Sequence, residues 1–272
     1  MVERLAERGK ITVLVRGGGE MATGVVHRLV RSGFRVCITE IPEPHAVRRE
    51  VAFCEAVFDC QKEVEGITAR RVGDEKEVRG AWDEGMIPLQ VDPECKIREV
   101  MRPQVLVDAI MAKRNVGTRR GDAPLVIGLG PGFRAGADVH LVVETNRGHN
   151  LGRVIEDGEA EPDTGVPGEM GGYTWERVLR APGNGRLLGS KKIGDPVKKG
   201  EVIARVEGLP VEAGIDGVLR GILRDGFSVH QGMKVGDIDP RGIRAHCFTI
   251  SDKARAIGGG VLEAILMGYD QL

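Results

Sequence analysis

Backbone groups, more than side chains, mark the positions in this sequence that could hold a ligand. Gly17, Gly18 and Gly19 follow the strand-like run Val13-Leu-Val-Arg16 and lead into Met21, Val25, Val26, Leu29 and Val30 at helical spacing. Gly33 stands where a C-terminal cap belongs, and a second strand-like run, Arg35-Val-Cys-Ile-Thr39, ends at Glu40. Gly17-x-Gly19-x-x-Ala22 therefore fits G-x-G-x-x-G/A in its strand–turn–helix setting. Gly17 permits a tight turn, Gly19 lets backbone approach a pyrophosphate, and Ala22 lets helix pack on strand. Amides from Gly18 to Met21 and Ala22 would face the anion at the helix start. Glu40 takes the place of the acid that binds ribose hydroxyls. Glu20 puts a carboxylate inside this loop, which leaves two readings open. Either it turns outward or caps the helix start, where the macrodipole favours it, or the site takes a metal or a ligand other than an ordinary dinucleotide.

Two further loops follow apolar runs. Leu125-Val-Ile127 leads into Gly128-Leu-Gly130-Pro-Gly132-Phe-Arg134, and Val139-His-Leu-Val-Val143 leads into Glu144-Thr145-Asn-Arg147-Gly-His149. Consecutive amides from Gly128 to Gly132 make an anion nest, and Arg134 and Arg147 add bidentate donors for phosphate or carboxylate. In open parallel sheets ligands lie beyond the carboxyl ends of the strands, so these ends are expected to converge on one crevice. His149 is an acid–base candidate by location alone. No catalytic pair emerges among the histidines and carboxylates, and no metal set stands out.

The elements that must position these loops alternate. After Pro42-Glu-Pro44 a helix is expected from His45, with Val47, Val51, Cys54 and Phe58 on one face and Arg48 and Arg49 as a solvated pair in its first turn. Val64–Val72 reads as extended, Asp74–Glu84 as a short helix, and Met86–Val91 and Gln104–Met111 as strands. This pattern predicts an α/β fold, a Rossmann-like doubly wound parallel sheet over residues 1–155. Residues 156–179, rich in Gly and Pro, read as a linker or lid.

A smaller all-β module is expected over 180–245. Gly194-Asp-Pro-Val-Lys-Lys-Gly200 and Gly226-Phe-Ser-Val-His-Gln-Gly232 echo each other 32 residues apart. This G-x-x-V-x-x-G turn resembles that of the biotinyl/lipoyl-type barrel-sandwich domain. Carrier domains expose a lysine between the halves; here the stretch is Val206-Glu-Gly-Leu-Pro-Val-Glu-Ala213. Biotin or lipoate attachment needs that amine, so the module reads as structural or docking. Residues 246–272 read as a C-terminal helix, capped by Ser251, that returns to the first domain. Its three successive glycines, 258–260, imply close backbone approach, with core packing the favoured cause.

A net charge of −1 offers no footprint for nucleic acid or a membrane surface, and no apolar run approaches the ~20 residues of a span. The five cysteines form no C-x-x-C pair, which suits buried thiols in a reducing, cytoplasmic setting. Met1-Val-Glu-Arg-Leu-Ala-Glu-Arg8 is charged and amphipathic, unlike a signal peptide.

Gly18-Gly-Glu-Met-Ala-Thr-Gly24, Ala46-Val-Arg-Arg49, Gly130-Pro-Gly-Phe133, Glu144-Thr-Asn-Arg-Gly148, Thr164-Gly-Val-Pro-Gly168 and Gly258-Gly-Gly-Val-Leu-Glu-Ala264 together resemble the YqeB family. More distantly, the chain is similar to accessory proteins of xanthine dehydrogenase. The resemblance implies a maturation factor for a selenium-dependent molybdenum hydroxylase, with that apoenzyme as partner. It supplies no catalytic residues. The expected ligand is a small anion, either an NAD-type nucleotide or molybdopterin, with a second copy of the chain as a further conceivable partner. The alternatives are an NAD-dependent oxidoreductase and a non-catalytic docking scaffold.

Overall fold

The computed structural model describes residues 11–268, so the expectation for Met1–Arg8 lies outside the described residues. The chain divides into two compact units. The first comprises residues up to Pro44, Ala52–Asp163 and Ile250 onward; the second comprises His45–Val51 and Thr164–Thr249. The expected linker or lid at 156–179 is thus shared between them, and the C-terminal helix belongs to the first.

The fold is mixed α/β. In the first unit a nine-stranded sheet is built from β1 (Thr12–Arg16), β2 (Arg35–Glu40), β3 (Gln61–Val64), β4 (Ile67–Val72), β5 (Ile87–Val91), β6 (Val105–Asp108), β7 (Leu125–Leu129), β9 (Leu141–Val143) and β10 (Val154–Ile155). The order is β10-β9-β7-β6-β1-β2-β5-β4-β3, parallel except for β10 and β3 at its edges. The short β8 (Arg134–Ala135) and β11 (Gly158–Glu159) pair separately. The apolar run 104–111 supplies only four strand residues before its chain turns away, and the extended stretch 64–72 is the second half of a hairpin turned at Glu65 and Gly66.

Among the described residues, five helices join the first unit: α1 (Glu20–Arg31), α2 (Ala56–Asp59), α3 (Glu75–Asp83), α4 (Ile97–Met101) and α5 (Asp252–Met267). Asp74 caps α3 by accepting from the Glu77 amide, and Ser251 caps α5 by accepting from the Ala254 amide. The side chains of a strand alternate between faces, and Leu14, Leu106, Val126 and Val142 pack with Val78, Ala81 and Ile97 on one of them. α5 covers the other face, where a Cβ on Gly260 would meet Val143 and the Gly152 carbonyl. α1 packs directly on α5: a Cβ on Gly24 would stand 2.6 Å from the Ala254 carbonyl oxygen, and one on Gly258 2.7 Å from that of Gly24. Gly259, between them in sequence, faces open space.

The helix expected from His45 is absent. The chain instead makes 3-10 turns at Arg49–Val51 and Phe53–Glu55 before α2, and residues 45–51 pack within the second unit. Gly221 leaves room there for the Val47 backbone. Arg48 and Arg49 are not a solvated pair: Arg48 is buried and donates to the His246 and Thr249 carbonyls, and Arg49 to that of Ile222. Both guanidinium groups are thus spent on backbone carbonyls of the second unit. Cys60 corrects another expectation, since it is exposed while the other cysteines are buried.

The second unit holds two four-stranded antiparallel sheets. The 32-residue echo extends to whole strands: β13 (Gly185–Gly189), β14 (Pro196–Val197) and β15 (Val202–Val206) recur as β17 (Gly217–Ile222), β18 (Ser228–Val229) and β19 (Lys234–Asp239). β12 (Val178–Arg180) and β16 (Leu209–Glu212) complete the sheets. Each repeat lends its middle strand to the other repeat's sheet, β14 pairing with β17 and β18 with β13. Residues Glu207 and Gly208, both at positive φ, turn β15 into β16 where a carrier hairpin would carry its lysine. Asp237, fully buried, accepts from Arg177 and from two nitrogens of Arg220. Burial alone would raise this carboxyl, but Arg220, Lys234 and Arg177 outweigh it and hold the pKa down at about 2.

Two outcomes are expected. Gly259→Ala gains roughly 1 kcal/mol in urea unfolding, whereas Gly258→Ala, one residue away, loses roughly 1–3 kcal/mol through overpacking. Asp237→Asn costs roughly 3–5 kcal/mol near neutral pH because it leaves buried guanidinium charge uncompensated. A depressed carboxylate pKa stabilises above the unfolded value of ~3.9, so this deficit shrinks as pH falls from ~4. Unfolding profiles of wild type and variant should converge toward pH 2, the pKa being held at about that value.

Candidate functional site

The register fixes which strand ends are neighbours. Thr39 pairs with Arg16, Arg16 with Asp108, Asp108 with Gly128, and Gly128 with Val142. The glycine turn after β1 and the one after β7 therefore leave the same edge of the sheet, two strands apart, or about 10 Å at ~4.8 Å per strand.

The first turn is pinned at both ends of Gly18. Its amide donates to Glu40 Oε1 at 2.8 Å, and its carbonyl accepts from the Cys54 amide at 2.9 Å and from Thr23 Oγ1 at 3.3 Å. Thr23 Oγ1 in turn accepts from the Phe53 amide. Gly17 adopts φ +92° and donates to Thr39. A Cβ on Gly18 would lie 3.0 Å from the Cys54 nitrogen, while one on Gly19 would meet nothing within 4 Å. Ala22 is buried and Met21 half-buried. Glu40 is a clamp on the loop, its Oε2 accepting from the Ile41 amide at 2.7 Å. Burial raises its pKa, against the lowering effect of the two amides. The sequence pattern gives Thr23 and Cys54 no role in this turn; the signal for Thr23 is a hydroxyl one turn into an otherwise apolar helix face.

Glu20 reaches sideways to the other helix start, its Oε1 accepting from Ser251 Oγ at 2.8 Å. Arg147 forms a bidentate pair with Asp252, the first residue of α5, at 2.8 and 2.9 Å. The starts of α1 and α5 and the 144–150 loop are thus tied together. Among the described residues no group of three or more His, Cys, Asp or Glu side chains is placed to hold a metal.

The second glycine turn serves packing more than the anion nest expected of it. The Gly130 amide donates to the Val143 carbonyl, Pro131 has no amide proton, and Gly132 is pressed against the Arg114 backbone, where a Cβ would stand 2.5 Å from Cα. Gly130, at φ +73°, leaves room for the buried Thr145 side chain. Arg134 lies in the separate β8–β11 pair and meets Glu159 at 3.2 Å, and His149 is exposed. So Gly17–Ala22 and Glu40 form one group, Glu20 and Arg147 meet through the α5 start, Gly130 meets Thr145, and Arg134 stands apart. Buried Glu144 organises its loop: Oε1 accepts from the Thr145 and Asn146 amides and Oε2 from that of Glu161, each at 2.7 Å.

No family model matches the sequence. The chain is 49% identical over 259 residues, 95% of its length, to the uncharacterized protein YqeB of Escherichia coli strain K12, which supports the YqeB family. It spans about half of that relative, 48% of its length. Among solved structures, TcdA (CsdL) aligns with 98% of this chain and 91% of its own at 12% identity, with a TM-score of 0.35. The product-bound ectoine utilization protein EutE (DoeB) of Ruegeria pomeroyi aligns with 84% of this chain and 85% of its own at 11% identity, with a TM-score of 0.26. Scores this low transfer neither fold nor chemistry. No helix among the described residues is long and apolar enough to cross a membrane.

Replacing Glu144 with Gln turns one acceptor oxygen into a donor opposite an amide, that of Glu161 if the other oxygen keeps the Thr145 and Asn146 amides. The expected cost is roughly 1–3 kcal/mol in chemical denaturation; a variant as stable as wild type would show that the loop does not depend on this carboxylate.

Proposed function

We propose that this chain is an accessory factor for maturation of a selenium-dependent molybdenum hydroxylase, and that it holds a nucleotide or phosphate-bearing, molybdopterin-type cofactor at the carboxyl ends of β1, β6 and β7. The observation that carries the ligand reading is the contrast within the first turn. Gly18 is clamped on both sides by protein, whereas Gly19, at the start of a 12-residue helix, has open space at its Cβ position. The turn is fixed where it meets protein and open where an anion would approach. The first amides of a helix have no intrahelical partner, and its dipole favours negative charge. The remaining lone pairs of Glu40 would serve a ribose hydroxyl.

The order β5-β2-β1-β6-β7 supports reading the large sheet as Rossmann-like, with β1 and β6 flanking the switch point. The doubled strands of the second unit support a barrel-sandwich reading. The hydroxylase apoenzyme as partner, the selenium system and a cytoplasmic setting rest on the likeness to YqeB. Glu20, Met21, Thr145 and Arg147 complete the proposed rim, with Gly130, Gly132 and Arg134 at its far side.

Calorimetric titration with NAD, NADP, ATP, CTP and molybdopterin tests the ligand reading. At least one is expected to bind wild type. Gly19→Val should weaken that ligand tenfold or more while leaving the protein folded, with an unchanged circular dichroism spectrum. Equal affinity in the variant would move the ligand away from this turn.

A further inference from the structure

On the Leu14 face of the sheet, the first unit contains a cavity of about 240 Å³ lined by Arg16, Cys95, Arg98, Val116, Gly117 and Asp122. Arg16 shares that face because it lies two residues beyond Leu14 on β1. Its side chain is only 9% exposed, and Nη1 is spent on Asp108 Oδ2 at 3.3 Å and on Thr118 Oγ1. Nε and Nη2 donate to no described residue. These two nitrogens form the side-on edge of a guanidinium, whose parallel N–H bonds match two oxygens of one carboxylate or phosphate.

The surrounding loop holds that edge in place. Asn115 Oδ1 accepts from the Gly117 and Thr118 amides, each at 2.9 Å, and Nδ2 donates to the Thr118 carbonyl at 2.8 Å. Thr118, buried, then donates to Asp108 Oδ2 at 2.5 Å. A guanidinium fixed on one side and unused on the other is a preorganised receptor, since little further ordering is needed on binding. Asp108 pairs with Arg16, Asp122 lies 3.5 Å from Arg98, and Glu94, also on the lining, pairs with Lys96 at 2.7 Å, so the cavity carries no surplus of positive charge. Attraction must then come from the two N–H bonds of the free guanidinium edge, which favours a singly charged over a multiply charged ligand. The volume also falls below the ~300–1,000 Å³ of sites for drug-sized ligands, which rules out a whole dinucleotide.

We propose that Arg16 anchors a second site, beside the glycine turn but on the Leu14 face of the sheet, for a small oxyanion presenting a carboxylate or phosphate group. The site does not depend on the cofactor reading above. Acetate and inorganic phosphate serve as probes of the two chemistries, titrated at constant ionic strength against chloride while the arginine Nε–H resonances are followed by NMR. The signal missing in Arg16→Lys identifies Arg16; it should shift saturably in wild type with one or both probes. Arg16→Lys keeps the charge but removes the fork, and should weaken the calorimetric affinity tenfold or more. Val116→Trp fills the cavity from its partly exposed wall with Arg16 itself unsubstituted, and should do the same if the lysine variant fails to fold. Arg79→Lys, on the exposed face of α3 and outside the cavity, should bind as wild type does. A stationary Arg16 signal with both probes, or equal affinity in Arg16→Lys or Val116→Trp, would overturn the site.

Discussion

The first unit depends on the close meeting of two helix backbones, at glycines where even a methyl group would not fit. Gly24 of α1 and Ala254 and Gly258 of α5 approach so closely that a Cβ on either glycine would collide with a carbonyl oxygen. Glycine in a helix interior costs about 1 kcal/mol relative to alanine, so close packing must return more than that. The approach sets where α5 begins. From there Ser251 reaches Glu20, Asp252 reaches Arg147, and the starts of two helices and one loop become a single hydrogen-bonded group.

Against that frame, the glycine turns do different work although they look alike. Gly17–Gly19 is held by Glu40, Thr23 and Cys54 and leaves Gly19 open. Gly130 and Gly132 are filled by Thr145 and by the Arg114 backbone. A glycine required for internal contact and a glycine required for a ligand obey the same steric rule. Only the identity of the neighbour separates them. Arg16 and Asp108 sit between the two turns, at paired register positions on adjacent parallel strands. Their side chains leave on the face away from α5, so one strand end serves two surfaces.

The second unit solves a different problem, how to bury charge inside a small β core. Asp237 is surrounded by guanidinium groups that outweigh the desolvation of its carboxylate. Arg48 and Arg49 arrive from a distant stretch of chain to donate to the backbone carbonyls of His246, Thr249 and Ile222. Pairing by exchange of middle strands explains why the two G-x-x-V-x-x-G turns must match: each supports a strand in the other repeat's sheet.

Sequence alone determined the elements whose signal is local. The β1–turn–α1–β2 segment, the Asp74 and Ser251 caps, and the 32-residue echo were legible because strand alternation, helical spacing, capping hydroxyls and turn glycines act within a few residues of themselves. Tertiary structure decided what depends on partners far along the chain. Val47, Val51, Cys54 and Phe58 have helical spacing, yet residues 45–51 pack into the second unit, where tertiary contact overrides propensity. Arg134 and Arg147 stand in loops that follow apolar runs in the sequence, but only the fold shows that Glu159 and Asp252 pair with them. Arg16 looks like the last residue of a strand until Asp108 and Thr118, 92 and 102 residues away, fix one side of it and leave the other unused. A side chain's chemistry is set by what surrounds it, and spacing along a chain does not encode those surroundings.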